Sequence, residues 1–281
     1  MNAKLPPIRR GVGVLLLHGL GGTPTELTTL ARVLGTEGAT VSCPILAGHC
    51  GTADDLRGTT WRDWYASAEF ALSELEARCG TVVVGGLSMG ALIAARLARE
   101  NAGRVGGLVM LAPTFRYDGW AIPWYRFLLP LIINTPIGRR YAFVESEPYG
   151  IKDERIRRKV VAAMRRGESA EAGLLATPSA ALQQMWRLAD EVRRGLPAIG
   201  QETLVIHPRD DDVASLWNAI LVQKHLGGRV ECVVLEDSYH LVTVDRQRSF
   251  VARRCAEFVA RVAAAREPAS AHRTLRVVHG G

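Results

Sequence analysis

The sequence predicts an α/β fold: a mostly parallel sheet flanked by helices, with a helical insertion. Short apolar runs rich in β-branched residues alternate with segments of helical periodicity, as expected for parallel strands joined by helical crossovers. The alternation stops between residues 114 and 200 and then resumes. One apolar run ends in a serine flanked by glycines, directly before a helical segment. These three observations determine the predicted architecture.

The individual elements follow from the length of each run and from its boundaries. Short apolar runs are typical of buried strands, and longer segments of 3.6-residue periodicity are typical of helices. We predict strands over residues 12–17, 41–46, 81–85, 107–113, 203–207 and 231–235. We predict helices over residues 24–35, 60–77, 91–98, 215–226 and 247–264. The first helix has a complete start signal, with Thr23 as N-cap, Pro24 at the first helical position and Glu26 completing a capping box.

The break in the alternation divides the chain into a core and an insertion. Residues 1–113 and 201–265 form the predicted α/β core, and residues 114–200 form a mainly helical insertion without a clear strand. Such an insertion emerges at the carboxyl edge of a parallel sheet, where ligands bind, so we expect it to be a lid. Residues 266–281 are rich in Pro, Ala, Ser, His and Arg, and we predict that this tail is disordered.

Composition indicates the class of partner and the compartment. The net charge is +7, but the excess arginines lack the aromatic interleaving of a nucleic-acid groove, so no nucleic acid is predicted. No apolar run approaches the ~20 residues that cross a bilayer, so no stable membrane insertion is predicted. The five cysteines are irregularly spaced, which favours free thiols and a cytoplasmic location. The cysteines and histidines form no metal-binding motif, and we predict no metal.

Ser88 is the candidate nucleophile, because it lies in a G-x-S-x-G motif between Gly86 and Gly90. A strand before this motif and a helix after it are the context of a nucleophile elbow, a sharp turn that exposes the serine hydroxyl. Strand and helix backbones approach closely there, and glycine has no Cβ to clash. The helix N-terminus also favours a developing negative charge.

A serine hydroxyl needs a neighbouring base, and the base needs an orienting acid. His240 is the candidate base, because it lies in a polar loop directly after the predicted strand that ends at residue 235. The candidate acid follows the strand over residues 203–207, where Asp210, Asp211 and Asp212 stand in a row. Spacing alone does not choose among the three aspartates.

Several motifs together resemble the α/β-hydrolase superfamily, over roughly residues 10–113 and 203–262. Within it, the chain is similar to small bacterial carboxylesterases and monoacylglycerol lipases. The shared residues are Leu15-Leu16-Leu17-His18-Gly19-Leu20-Gly21-Gly22-Thr23-Pro24, Pro44 with Gly48-His49, Gly86-Leu87-Ser88-Met89-Gly90, and Tyr239-His240 with Thr243 and Asp245. The resemblance implies the α/β-hydrolase fold and a serine hydrolase that cleaves carboxylic esters of short to medium acyl chains through an acyl-enzyme, without a cofactor.

The resemblance also assigns roles within the site. In the similar esterases the acid follows an arginine and one variable residue, so Arg209-Asp210-Asp211 points to Asp211, with Asp210 and Asp212 as alternatives. The backbone N–H groups of Leu20 and Met89 are expected to form the oxyanion hole, and His18 is expected to shape the loop that carries Leu20. Independently of the resemblance, some of the apolar residues of the insertion, which include Trp124 and Phe127, are expected to line an acyl pocket above Ser88, and the sequence does not choose among them.

Two other functional classes are compatible with the same motifs. A thioesterase or an acyltransferase would use the same three catalytic groups, and a non-catalytic ligand-binding protein can occupy a hydrolase fold. Dehalogenase chemistry is disfavoured, because it requires an aspartate where Ser88 stands.

Overall fold

The computed structural model describes residues 8, 11–123, 127, 129–133, 135, 138 and 141–266. Its strands are β1 (Val12–Leu17), β2 (Thr40–Ser42), β3 (Thr81–Leu87), β4 (Val105–Leu111), β5 (Ala142–Val144), β6 (Ala176–Pro178), β7 (Glu202–Pro208) and β8 (Val230–Leu235). Its helices are α1 (Thr28–Thr36), α2 (Ala53–Arg57), α3 (Trp61–Glu76), α4 (Met89–Glu100), α5 (Leu129–Ile133), α6 (Glu154–Arg165), α7 (Ser169–Ala172), α8 (Ser179–Gly195), α9 (Trp217–His225) and α10 (Arg248–Ala265).

Six of the strands form one parallel sheet in the order β2-β1-β3-β4-β7-β8. From β1 the chain goes first to one side, to β2, and later to the other side, to β3. Loops leaving β1 and β3 therefore diverge and leave a crevice at the carboxyl ends of these strands, which is where ligands bind in open α/β sheets. The register places Leu17 beside Gly86, so the loop after β1 and the turn after β3 are neighbours.

Helices cover both faces of the sheet, each over its own apolar layer. Helices α3, α4 and α8 pack on one face, and α1 and α10 pack on the other. Strand β1 is buried along its whole length, which explains why it reads as a continuous apolar run rather than an alternating one. The predicted α/β fold and its parallel sheet are thus confirmed.

The segment over residues 114–200 contains more than helices. Strands β5 and β6 pair antiparallel within it, and each has only three residues, too few to give a readable sequence pattern. Helix α8 lies at its end and packs against α3 and α4 through buried side chains such as Met185 and Leu188. The second half of this segment therefore contributes to the main core.

The strand predicted over residues 41–46 is shorter in the structure, for an identifiable reason. The strand predicted over residues 41–46 ends at Ser42, because Pro44 has no N–H to donate to a sheet and the Leu46 N–H donates instead to His18 Nε2. The tail predicted to be disordered over residues 266–281 begins with a residue that has a defined contact. Arg266 Nη2 donates to the carbonyl of Val105 at 2.8 Å, and residues 267–281 lie outside the described residues.

None of the helices in the described ranges combines the length and the apolar character that a membrane-spanning segment requires.

Helix α3 provides a matched test of the packing. Leu72 is fully buried against the sheet, whereas Phe70, two residues earlier, is 67% exposed. Leu72→Ala is expected to lower the free energy of unfolding by about 2–5 kcal/mol, since it removes apolar contacts and leaves a cavity. Phe70→Ala is expected to change it by less than about 0.5 kcal/mol. Urea denaturation of both variants measures the difference, and equal effects would contradict the described packing.

Candidate active site

Ser88 lies at the tip of the turn between β3 and α4, as the N-cap residue of α4 with φ 55° and ψ −113°. A non-glycine residue with this φ is strained by roughly 1–3 kcal/mol, and such strain concentrates at functional sites. A Cβ on Gly86 would lie 2.3 Å from the carbonyl carbon of Gly90, and a Cβ on Gly90 would lie 2.1 Å from the carbonyl oxygen of Leu17. Both flanking glycines are therefore required by close backbone packing.

The hydroxyl of Ser88 is hydrogen-bonded to another hydroxyl. Ser88 Oγ lies 3.0 Å from Thr114 Oγ1, and Thr114 Oγ1 donates to the carbonyl of Ala112 at 3.2 Å. Because the single proton of Thr114 is used by that carbonyl, the consistent arrangement has Ser88 donating to Thr114. The side chain of Thr114 is fully buried, and Ser88 is 8% exposed.

His240 and Asp211 form a buried pair at the same edge of the sheet. His240 Nδ1 lies 2.9 Å from Asp211 Oδ2 and 3.1 Å from Oδ1. The two residues are 5% and 2% exposed. Since an ionised carboxylate only accepts hydrogen bonds, His240 Nδ1 carries the proton and donates it, which leaves Nε2 free to accept a proton.

The carboxylate of Asp211 is fixed by its own loop. Its Oδ1 accepts the backbone N–H groups of Val213 and Ala214, both at 2.8 Å. His207 is also fully buried beside it, with Nε2 3.4 Å from Asp211 Oδ2 and 2.8 Å from the carbonyl of Ala214. Burial raises the pKa of Asp211, but the charge of His240 and these hydrogen bonds outweigh it and hold the pKa below its usual value.

The other two aspartates of the row have different surroundings. Asp210 is exposed. Asp212 is buried, and it accepts two backbone N–H groups, that of His240 at 3.2 Å and that of Gly150 at 2.9 Å. Asp212 therefore holds the backbone of the His240 loop and does not reach the imidazole ring through a hydrogen bond.

Burial and the neighbouring carboxylates act in opposite directions on the pKa of His240. Burial alone would lower the pKa of His240, but the Asp211 charge and hydrogen bond, helped by Asp212 and Glu26, raise it above the ordinary value of 6.5. The imidazole is therefore more basic than a free histidine, and it is neutral only above this raised pKa.

The loop after β1 is packed against Ser88. A Cβ on Gly19 would lie 3.6 Å from Ser88 Cβ. His18 anchors this loop, because its Nδ1–H donates to the Gly19 carbonyl at 2.9 Å and its Nε2 accepts the Leu46 N–H at 3.2 Å. Burial lowers the pKa of His18 to about 3, so this histidine stays neutral and acts as a fixed hydrogen-bonding link.

Two backbone N–H groups lie beside Ser88 without an acceptor among the described residues. Within the described part of the chain, the N–H groups of Leu20 and Met89 donate to no other group. Met89 is the first residue of α4, where backbone N–H groups have no partner inside the helix. The geometry thus brings together a strained serine, a histidine–carboxylate pair and two unpaired donors at one edge of the sheet.

Sequence reasoning missed Thr114 and the backbone-binding carboxylates. Thr114 follows β4, and its position beside Ser88 depends on β4 lying next to β3, which is a long-range property. Asp245 stands in the motif shared with the esterases, but the sequence indicates no role for it. It is fully buried and accepts the N–H groups of Tyr239 at 2.7 Å and of Lys152 and Asp153, each at 2.9 Å.

A family model described as the alpha/beta hydrolase family matches residues 14–254. The chain belongs to this family. It is 30% identical over 251 residues to a thermostable monoacylglycerol lipase of Bacillus sp. (strain H-257), covering 89% of this chain and 91% of that protein. It is 23% identical over 249 residues to a carboxylesterase of Bacillus subtilis (strain 168), covering 88% of this chain and 91% of that protein.

A solved structure from a study of the metagenome-derived lipolytic enzymes LipS and LipT is also similar to this α/β-hydrolase. It superposes with a TM-score of 0.76 at 26% identity, covering 91% of this chain and 96% of that chain. Because the match covers 91% of this chain, the likeness extends beyond the sheet to most of the chain.

The glycine packing of the elbow can be tested directly. Gly90→Ala is expected to lower the free energy of unfolding by about 1–3 kcal/mol or more, since its methyl group would overlap backbone atoms that cannot move independently. Gly103→Ala is the control, because nothing lies within 4 Å of a Cβ at that position. Thermal unfolding of both variants measures the effect, and a Gly90→Ala variant as stable as Gly103→Ala would contradict the turn geometry.

Proposed function

We propose that this carboxylic ester hydrolase acts through an acyl-enzyme formed on Ser88, with His240 as general base and Asp211 as the carboxylate that orients it. The N–H groups of Leu20 and Met89 bind the oxyanion. The observation that carries the proposal is the buried His240–Asp211 hydrogen bond at 2.9 Å, on the same sheet edge as the strained serine turn. Asp211, rather than Asp210 or Asp212, is supported as the acid because it alone of the three bonds the ring nitrogen.

The mechanism begins from the resting hydrogen bond between Ser88 and Thr114. Rotation about the Ser88 Cα–Cβ bond transfers its hydroxyl from Thr114 to His240 Nε2. Ser88 Oγ then attacks the ester carbonyl carbon while Nε2 takes the hydroxyl proton, and the carbonyl oxygen becomes an oxyanion. Asp211 stabilises the imidazolium formed in this step.

The tetrahedral intermediate then breaks down to the acyl-enzyme, which water hydrolyses in a second step. His240 returns the proton to the leaving alcohol oxygen, the carbon–oxygen bond breaks, and the acyl group stays on Ser88. Water then gives a proton to His240 and attacks the acyl carbon, which forms a second oxyanion. His240 returns this proton to Ser88 Oγ as the Oγ–carbon bond breaks, which releases the carboxylic acid and restores the serine hydroxyl. No other group is required to balance these steps.

The substrate is a small-molecule ester, and we assign it a short to medium acyl chain. The names of the two Bacillus relatives, a monoacylglycerol lipase and a carboxylesterase, support this substrate class. The segment over residues 114–200 starts with Thr114 at Ser88 and returns with Gly150 at the His240 loop, which supports its role as a lid. The five free cysteines support the proposed cytoplasmic location.

Replacing the nucleophile tests the proposal most simply. Ser88→Ala is expected to keep the fold, measured by circular dichroism, and to lose hydrolysis of p-nitrophenyl butyrate by about 10⁴-fold or more, because the three groups act as a unit. Ser67→Ala is a matched control on helix α3. Retention of more than a few per cent of wild-type turnover by Ser88→Ala would overturn the proposed nucleophile.

Replacing each aspartate of the row tests the acid. Asp211→Asn is expected to lower kcat by about 10³- to 10⁴-fold, since only this carboxylate fixes the tautomer of His240. Asp210→Asn and Asp212→Asn should cost far less. If either of these two proves the most damaging, the assignment to Asp211 is wrong.

The pH profile gives a second measurement of the same pair. His240 must be neutral to accept a proton, so kcat/KM should fall as the pH drops through its raised pKa, above 6.5. Removing the Asp211 charge lowers the pKa of His240. The pH at which kcat/KM falls on the acidic side should therefore be lower for Asp211→Asn than for the wild type. If the acidic limb stays at the wild-type pH, the Asp211 charge does not raise the pKa of His240.

The proposed acyl pocket remains a prediction. Trp124 lies outside the described residues, and Phe127 is 63% exposed. If Phe127 contacts the acyl chain, Phe127→Ala should change the ratio of kcat/KM between butyrate and octanoate esters without changing labelling of Ser88 by a small organophosphate. Phe250→Ala, on the exposed side of α10, is the control. An unchanged ratio would reject the pocket role of Phe127.

A further inference from the structure

Leu20 lies in a tight turn over residues 19–22. Gly22 N–H donates to the Gly19 carbonyl at 3.2 Å, and Gly21 has φ 69°. A hydrogen-bonded four-residue turn with positive φ at its third residue is typical of type II geometry. This turn places Leu20 at its second position, next to the serine elbow.

Glu26 holds both ends of this turn. Its Oε2 accepts the Gly19 N–H at 3.4 Å, and its Oε1 accepts the Thr23 N–H at 3.1 Å. The second of these bonds is the ordinary bond of a capping box. The first reaches seven residues back to the start of the turn, and a capping box does not require it.

The space under the turn is filled by the same carboxylate. A Cβ on Gly22 would lie 1.8 Å from Glu26 Oε1. The φ of Gly22 is outside the range reserved for glycine, so its missing side chain is explained by the Glu26 carboxylate and not by backbone strain. A Cβ on Gly19 would lie 3.7 Å from Glu26 Oε2 and 3.6 Å from Ser88 Cβ, so one glycine separates the carboxylate from the nucleophile.

We infer that Glu26 is the positioning residue of the oxyanion hole, holding the Gly19–Gly22 turn so that the Leu20 N–H faces the carbon attacked by Ser88. This inference rests on the proposed acyl-enzyme function. Glu26 itself touches no reacting atom, since it acts through the backbone of Gly19 and Thr23. Burial disfavours the ionised form of Glu26 and raises its pKa to about 7. The two backbone donors and the charge of His240 act in the opposite direction and lower this pKa.

Two variants remove this support in different ways. Glu26→Gln keeps the shape but replaces one accepting oxygen by an NH₂ group, which cannot accept a backbone N–H. Gly22→Ala keeps the charge of Glu26 but places a methyl group where its carboxylate lies, so the flexible side chain must move away. Both variants should lower kcat for p-nitrophenyl butyrate by about 10- to 100-fold, which does not exceed the effect of losing one oxyanion donor. KM should change by less than about twofold.

Each variant has a matched control elsewhere in the chain. Asp63→Asn removes a capping-box carboxylate that accepts the Thr60 N–H at 2.8 Å at the start of α3. Gly35→Ala adds a methyl group in α1, where nothing lies within 4 Å of the new Cβ. Both controls should keep wild-type kcat.

The decisive measurement is the inhibition constant of an aliphatic trifluoromethyl ketone, whose adduct with a serine carries an oxyanion. The constant should rise in Glu26→Gln and in Gly22→Ala by the same factor as kcat falls. The double variant should lose no more than the worse single variant, since both act through one carboxylate. Glu26 interacts electrostatically with His240, Glu145 and Cys50, so a change at Glu26 can shift the pKa values of these groups. The constants are therefore measured well above the pKa of His240, and turnover is normalised to the concentration of titrated active sites.

Two outcomes overturn the inference. One is wild-type kcat and ketone affinity in the folded fraction of either variant, even if its melting temperature falls, because Glu26 would then only cap the helix. The other is additive losses in the double variant. If Glu26→Gln does not fold, Gly22→Ala decides alone. A Ser88→Ala variant that still turns over would defeat the proposed function, whereas an inactive Ser88→Ala beside normal Glu26→Gln and Gly22→Ala variants would defeat only this inference.

Discussion

The close approach of α4 to the end of β1 is the constraint on which this site depends. A Cβ on Gly90 would fall 2.1 Å from the Leu17 carbonyl oxygen, so the helix can reach this position only where the side chain is absent. The turn before the helix is consequently so tight that Ser88 adopts φ 55°. The strain is opposed by the packing of helix α4, because all of its apolar side chains are buried. Packing energy of this kind can hold a residue in a conformation that costs roughly 1–3 kcal/mol.

Buried carboxylates that accept backbone N–H groups organise the loops around that turn. Asp211 binds its own loop as well as His240, Asp212 joins the His240 backbone to Gly150, and Asp245 joins Tyr239 to Lys152 and Asp153. Burying a carboxylate costs desolvation free energy, which its backbone donors offset. Removing the carboxylate destabilises the fold, because its buried donors are then left unpaired. The arrangement fixes two loops on different elements at one sheet edge, and it connects the segment over residues 114–200 to the histidine loop.

The elements that the sequence predicted well are those determined by neighbouring residues. Strand β1 and the turn at Ser88 can be predicted from the sequence, because a buried parallel strand is continuously apolar and a tight turn needs glycines. The capping box at Thr23 and Glu26 is likewise local, and the structure contains it. The fold class and the ester hydrolase activity were therefore predicted correctly, the latter with the help of the resemblance to carboxylesterases.

What the sequence did not reveal depends on which strands become neighbours. Thr114 reaches Ser88 only because β4 pairs with β3, and the bond of Glu26 to Gly19 requires the exact path of a turn. Strands β5 and β6 are too short to carry a pattern, and their pairing joins residues more than 30 positions apart. The sequence alone does not choose the candidate acid among the three consecutive aspartates, whereas in the structure each of them has different neighbours.

The central claim is that Ser88 is the residue acylated during turnover. Peptide-mapping mass spectrometry of the chain after reaction with a fluorophosphonate tests it most directly, since such probes label an activated serine irreversibly. The account predicts one adduct, on the peptide that contains Ser88, and its loss after pre-incubation with an ester substrate analogue. An adduct on another residue, or an unlabelled chain that still hydrolyses esters in the presence of the probe, would contradict it.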